Sequence, residues 1–218
     1  MRTFTIVVAA ALLLAGPALA ERTYLHHWGE ADDSILGTFD NCTADVTAEY
    51  NRPEHDGYAL AVTKTSDVYS GYATAFIACV WGLQPGDQVT AGYWRFDFGG
   101  GYPRMRLWAH YNDSLVSDDY RGQDMTVFDG LAYGNNDIGH ETGWEYFDYT
   151  WTMPADHNGL VIDVVIYGDY EDVLYVDELT LTVPDHAYAL VPGVFYDSAG
   201  EATPTAPSTW GGVKSLFR

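Results

Sequence analysis

The chain has 218 residues, and its 31 acidic residues outnumber its 10 Lys and Arg to give a formal net charge of −21. Binding to phosphate backbones or anionic lipid needs a basic patch, but the only lysines are Lys64 and Lys214. The composition therefore argues against nucleic acid and anionic membranes as partners. It leaves neutral ligands, cations and basic partners open, and solubility alone is another reason for such acidity.

Residues 1–20 predict a secretory signal peptide that is not part of the fold. Arg2 gives a positive start, residues 6–15 are apolar, and Ala18-Leu19-Ala20 forms a small-x-small cleavage site. The apolar run is much shorter than the roughly 20 residues that a membrane span needs. We therefore expect an exported chain over residues 21–218 with no transmembrane segment, long enough for one domain and a tail.

Residues 21–184 predict an all-β domain. Short segments rich in Val, Ile, Tyr, Phe and Trp alternate with turn clusters such as Gln84-Pro85-Gly86-Asp87. Residues 113–142 are polar and glycine-rich, which predicts long surface loops with at most one short strand. This pattern favours a two-sheet jelly-roll sandwich, with a closed barrel as the alternative. The predicted strands cover residues 58–63, 72–80, 89–98, 104–112, 144–153, 160–167 and 174–183.

The C-terminal part of the chain changes composition after Pro184. Residues 185–209 are rich in Pro, Ala, Thr, Ser and Gly, which predicts a linker. Residues 210–218 combine aromatic and apolar side chains with Lys214 and Arg218. They predict either a frayed tail or a tag that export or anchoring machinery recognises.

The two cysteines, Cys42 and Cys79, predict one disulfide, because an exported chain with an even cysteine count favours pairing. The bridge would close a loop of about 38 residues and contribute about 2–4 kcal/mol.

The strand LYVDELTLTV at residues 174–183 places Asp177 on the same parity as Leu179 and Leu181. An acid on the apolar side of a strand is costly unless something compensates it. A bound cation is one solution, and hydrogen bonds from backbone amides are the other.

Gly57 to Val62 has the pattern G-x-x-L-x-V, and Leu83 to Val89 begins with L-x-P-G. Together with two later segments, they resemble in order the jelly-roll carbohydrate-binding modules of secreted bacterial proteins. Gly143 to Pro154 resembles their G-W…T-F-T-V-P strand, and Val176 to Leu179 their V-D-D-V ending. The resemblance spans about residues 57–183 and implies a galactose-binding-like β-sandwich.

The resemblance also implies a structural calcium. In many such domains the aspartate of the last strand holds the metal, and Asp177 matches that position. A second acidic ligand comes from an early F-E segment, to which Phe39-Asp40 is the nearest match, with Asp in place of Glu. Calcium takes several oxygen ligands, so these two carboxylates alone do not complete a site.

A ligand-binding face follows from strand parity. If three predicted strands are neighbours, the outward positions of residues 89–98, 104–112 and 160–167 share one surface. That surface suits a sugar, because pyranose rings stack on Trp and Tyr while Arg and Asp bind hydroxyl groups. The alternatives are that the Trp side chains pack beneath a loop and that Arg106 and Asp163 form only a cross-strand ion pair. The outward residues are Trp94, Arg106, Trp108, His110, Asp163 and Tyr167.

The same parity places Arg95 and Asp97 inward, which predicts that this strand twists or ends before Arg95.

The sequence contains none of the common hydrolase or phosphate-loop motifs G-x-S-x-G, H-E-x-x-H and Gly-rich P-loop. We therefore expect no enzyme but a secreted carbohydrate-binding module with poly- or oligosaccharide ligands. The alternatives are a surface or matrix protein that uses the sandwich as a scaffold, and a polysaccharide hydrolase, which would need two carboxylates across a cleft.

Overall fold

The computed structural model describes residues 20–29, 35–39, 41–50, 52–53, 57–66, 73–99, 103–113, 129–135 and 142–204. Within these ranges the chain forms fourteen β-strands, which pair antiparallel in two sheets. The predicted all-β jelly-roll sandwich is confirmed. The predicted signal peptide and the segment 210–218 lie outside the described residues. The described ranges include no helix long and apolar enough to cross a membrane.

One sheet has six strands. Five follow the order β3-β4-β11-β6-β9, and β1 pairs with the C-terminal half of β11. The strands are β1 (Glu21–His26), β3 (Cys42–Thr47), β4 (Ala59–Lys64), β6 (Gln88–Phe98), β9 (Thr142–Thr152) and β11 (Val173–Pro184).

The second sheet has eight strands in the order β14-β13-β12-β5-β10-β7-β8, and β2 pairs with β5. The strands are β2 (Gly37–Phe39), β5 (Ala73–Trp81), β7 (Arg104–Tyr111), β8 (Gly130–Asn135), β10 (Gly159–Tyr167), β12 (Tyr188–Val191), β13 (Val194–Tyr196) and β14 (Ala202–Pro204).

The core lies between the two sheets and is built by alternate residues of each strand, since successive side chains of a strand point to opposite faces. All of the predicted inward residues of β4, β7 and β10, and those of β6 up to Tyr93, pack in this core or against it. They are Leu60, Val62, Val89, Ala91, Tyr93, Met105, Leu107, Ala109, Tyr111, Leu160, Ile162, Val164 and Ile166.

The predicted turn between β5 and β6 is confirmed. The backbone N–H of Asp87 donates to Gln84 O at 3.0 Å. Gly86 has a φ of +90°, which is the left-handed conformation that the third position of a type II turn requires. The Asp87 carboxylate accepts from Gln84 N at 2.7 Å and lies 2.9 Å from His186 Nε2, so the turn is tied to the segment after β11.

Residues 185–204 are not a linker, which corrects the domain boundary predicted at residue 184. Strand β12 pairs with β5, and β13 and β14 extend the sheet beyond it. Ala187, Ala189 and Val191 pack in the main core, while Leu190 and Phe195 pack on the outer face of the sheet. Because the segment is rich in Pro and Ala, the alternation of its core-facing and outward residues was not predicted from the sequence. Residues 205–209 of the predicted linker lie outside the described residues.

The inward parity of Arg95 predicted that strand β6 twists or ends before this residue. The strand instead continues to Phe98. Arg95 is buried because its Nη2 donates to Glu145 Oε2 at 2.9 Å and its guanidinium lies 5.2 Å from the Phe147 ring centre. The edge strand β9 supplies both partners, so the charge is compensated without a break in the strand.

The predicted disulfide between Cys42 and Cys79 is wrong, since neither cysteine is disulfide-bonded. Cys42 lies on β3 of the six-stranded sheet and packs against the main core. Cys79 lies on β5 of the other sheet and packs with Phe76 and Trp81 on its outer face. The two side chains therefore lie on opposite sides of the eight-stranded sheet.

We expect two thiols to react with a colorimetric thiol reagent in denaturant without reductant. In the native protein Cys42 should react slowly at pH 8, because burial raises its pKa to about 12 and keeps the thiol protonated. Detection of no thiols in denaturant until reductant is added would show that the disulfide forms after all.

Candidate functional site

Five of the six predicted ligand residues lie together on the outer face of the eight-stranded sheet. Strand β7 contributes Arg106, Trp108 and His110, and β10 contributes Asp163 and Tyr167. The two strands are paired, with Trp108 opposite Asp163 and His110 opposite Val161. The alternation of both strands is unbroken, so every second residue faces outward, as predicted from parity.

Arg106 is held against two aromatic rings. Its Nη1 donates to Tyr167 Oη at 2.8 Å. Its guanidinium carbon lies 4.0 Å from the Tyr167 ring centre and 4.8 Å from that of Trp108. These contacts fix the plane of a half-buried guanidinium and cover one face of each ring.

His110 and Asp163 are buried beneath the exposed side chains of this face. The distance between His110 Nδ1 and Asp163 Oδ2 is 2.7 Å, and both residues are buried. Asp163 therefore pairs with His110 and not with Arg106, which removes the alternative of an Arg106–Asp163 ion pair. Because Asp163 has no exposed surface, its carboxylate contacts His110 and is not accessible to a ligand.

Tyr93, on β6 of the other sheet, contacts strand β7 from the core side. Tyr93 Oη donates to the backbone carbonyl of Arg106 at 3.3 Å. Burial raises the pKa of Tyr93 well above its usual value, while the nearby Arg95 lowers it and Asp163 raises it further. Its hydroxyl therefore stays a donor to β7 at alkaline pH.

Tyr133 is a member of this face that the sequence analysis missed. It lies on β8 and is 60% exposed, and its ring centre is 5.8 Å from that of Trp108. Its φ of +57° is unusual for a non-glycine residue, and such strain is concentrated at functional sites. The Trp151 indole N–H holds this conformation by donating to Tyr133 O at 2.7 Å.

We call this surface the aromatic strip. It consists of Arg106, Trp108, His110, Tyr133, Asp163 and Tyr167.

Trp94 does not join the aromatic strip. Strand β6 belongs to the six-stranded sheet, where Trp94 lies opposite Asp177 and Tyr146. Strands β6 and β7 are consecutive in sequence but lie in different sheets, so their outward residues reach opposite surfaces of the sandwich.

Trp94 instead packs beneath Arg52, which also contacts two acids. The Arg52 guanidinium carbon is 4.3 Å from the Trp94 ring centre. Arg52 Nη2 donates to Glu178 Oε2 at 3.0 Å, and Arg52 Nε lies 3.8 Å from Asp177 Oδ2. Both Arg52 and Asp177 are buried.

Asp177 is not on the core side of its strand, because a bulge interrupts the alternation of β11. The pairing with β6 shifts between Asp177 and Thr180, and Glu178 has a φ of +51°. Val176 and Leu179 therefore both face the core, and Asp177 faces outward toward Arg52.

The surroundings of Asp177 do not fit the calcium that the resemblance implies. A guanidinium beside the carboxylate supplies the positive charge that a metal would bring and repels a second cation. The described ranges hold no group of three or more His, Cys, Asp or Glu side chains that could bind a metal. The other implied ligand, Asp40, lies outside the described residues, so its predicted role as a calcium ligand is untested.

The same outer face of the six-stranded sheet carries a second aromatic group beyond Trp94. Tyr50 contacts Phe96, Phe98 and Tyr175 with ring centres 4.7–5.2 Å apart. Tyr50 and Phe98 are each 41% exposed. The contact of Tyr50 with Phe98 is edge to face and the other two are tilted, so the four rings form a small, partly exposed aromatic cluster.

The sequence matches no protein-family model, and no curated protein matches it.

Several solved structures are similar to this chain. One is the CBM22-1 xylan-binding domain of Paenibacillus barcinonensis Xyn10C, at a TM-score of 0.51 and 12% identity over 77% of this chain and 97% of that one. Another is the C-terminal family 22 carbohydrate-binding module of Clostridium thermocellum Xyn10B, at a TM-score of 0.43 and 13% identity over 68% and 84% of the two chains. The match to the xylan-binding domain, together with the two antiparallel sheets, shows that the chain has the jelly-roll β-sandwich fold of that carbohydrate-binding module.

The enzymatically active domain of bacteriophage CBA120 tailspike protein 4 also matches, at a TM-score of 0.40 and 9% identity over 72% of this chain. The present chain covers 19% of that protein's length.

Proposed function

We propose that this protein is a non-catalytic carbohydrate-binding module that uses the aromatic strip to bind a poly- or oligosaccharide. The observation that carries the proposal is the convergence of Trp108, Tyr133, Tyr167 and Arg106 on one sheet face. Rings stack on the C–H faces of pyranoses, and a guanidinium donates to their oxygens. The fold shared with xylan-binding domains supports the same assignment.

Binding is favoured over hydrolysis by the composition of the aromatic strip. Glycoside hydrolysis ordinarily needs two carboxylates on either side of the scissile bond. The strand positions that form the strip contribute one carboxylate, Asp163, which is buried against His110.

The proposal is tested by binding to a glycan array and by affinity electrophoresis through gels cast with soluble polysaccharides. We expect retardation by at least one polysaccharide without release of reducing sugar. Failure to bind any glycan would overturn the proposal, and release of reducing ends would favour the hydrolase.

We also propose that the protein works outside the cytoplasm, on the basis of residues 1–20, and that residues 210–218 are recognised by export or anchoring machinery. Deletion of residues 210–218 should move the protein between cell-surface and medium fractions, while glycan binding by the purified protein stays unchanged. An unchanged distribution would rule out the anchoring role. A protein that keeps its surface location but binds no glycan would instead be a structural scaffold.

A further inference from the structure

The arginines of this acidic chain differ in whether they have a carboxylate partner. Arg22 Nε lies 3.1 Å from Asp185, Arg52 Nη2 lies 3.0 Å from Glu178, and Arg95 Nη2 lies 2.9 Å from Glu145. With 31 acids against 10 bases, such pairing is the expected state of an arginine in this protein.

Arg106 is the exception in the aromatic strip. Within the described ranges its side chain contacts Tyr167 and Trp108 and has no carboxylate partner within 4 Å. The nearest candidate on the strip, Asp163, is already engaged with His110 at 2.7 Å. One of the five guanidinium N–H donors is used by Tyr167, so donors remain for a ligand.

The fixed orientation of the Arg106 guanidinium favours the binding of an anion. Its plane is fixed by two rings and one hydrogen bond, so little side-chain freedom is lost when a ligand binds. A planar, bidentate donor pair matches the two oxygens of a carboxylate. Acids farther than about 8 Å from Arg106 weaken this attraction little, because charges at that distance are largely screened at physiological ionic strength.

We infer that the ligand of the aromatic strip carries carboxylate groups, which makes it an acidic polysaccharide containing uronic acid. This inference rests on the proposed function and specifies its ligand class. In the complex the sugar rings contact Trp108, Tyr133 and Tyr167, and a uronate carboxylate accepts two hydrogen bonds from Arg106.

The test compares each polyuronate with its own carboxyl-reduced, neutral derivative by isothermal titration calorimetry, with a sulfated neutral polysaccharide as a third ligand. We expect the wild-type protein to bind at least one polyuronate about tenfold or more tightly than the reduced form, as a charge-assisted bidentate contact provides. Arg106→Gln should abolish this preference, so that the variant binds the acidic and the reduced forms with about equal affinity. Arg106→Lys, which keeps the charge but not the fork, should retain part of the preference.

Arg22→Gln is the matched control, since it removes the same charge from β1 and should leave the preference unchanged. The melting temperature of each variant shows that it is folded. If the wild-type protein binds the acidic and reduced forms with equal affinity, or prefers the sulfated ligand, the carboxylate assignment is overturned while the proposed function stands. Binding to no glycan at all would overturn both.

Discussion

Trp108→Ala should weaken glycan binding by at least about thirtyfold in Kd, which corresponds to about 2 kcal/mol. Trp108 lies at the centre of the aromatic strip, with the Arg106 guanidinium over its ring and the Tyr133 and Tyr167 rings steeply inclined to it. Its removal takes away a stacking platform and also releases the guanidinium that it holds. The measurement is the Kd for the best polysaccharide from the array, with melting temperature as the check on folding.

Trp94→Ala is the control for this prediction. Trp94 is also a half-buried outward tryptophan that stacks on an arginine, Arg52, but it lies on the opposite sheet. We expect its loss to reduce stability and to leave Kd unchanged within about twofold. The reverse result, with binding lost in Trp94→Ala and kept in Trp108→Ala, would place the ligand on the six-stranded sheet.

Arg52→Met should destabilise the domain by about 3–5 kcal/mol, because it removes the cationic partner of the buried Asp177 carboxylate. For a domain of this size the melting temperature should fall by about 10 °C. Arg22→Met, which breaks a more exposed pair with Asp185, should cost about 1 kcal/mol or less. Chemical denaturation of the three proteins measures the difference.

The double variant Arg52→Met/Asp177→Asn separates loss of charge compensation from loss of packing. If the carboxylate is the cause, the second substitution should recover most of the stability. The wild-type melting temperature should also be the same in calcium and in chelator, since the Arg52 guanidinium already lies beside the Asp177 carboxylate. A fall on chelation that is absent in Asp177→Asn would show that Asp177 binds calcium.

Strand positions and parity were predictable wherever the alternation of side chains runs without interruption. In β10 the residues from Leu160 to Tyr167 alternate strictly, and the buried and outward sets follow directly. In β11 the bulge at Glu178 moves Asp177 from one face to the other. Nothing in the local pattern marks a bulge, because its cause is the pairing with β6, which lies about 80 residues earlier in the chain.

The composition of the site was only partly predictable for the same reason. Parity assigns a residue to a face of its own strand, but the choice of sheet depends on which distant strands pair. The sequence therefore assigned both Trp94 and Trp108 to the predicted ligand-binding face, although they lie on opposite surfaces of the sandwich. Tyr133 was missed because it lies in a glycine-rich stretch, where a positive φ and an irregular pairing with β7 replace alternation.

The order of strands in the larger sheet has a consequence for tethering. Strand β14, which ends at Pro204, is at one edge, while β8 and the aromatic strip are at the other. Across the sheet this separation is about 29 Å at about 4.8 Å per strand. Coupling through Pro204, to a resin, a sensor chip or a fused enzyme, would therefore attach at the edge of the sheet opposite β8.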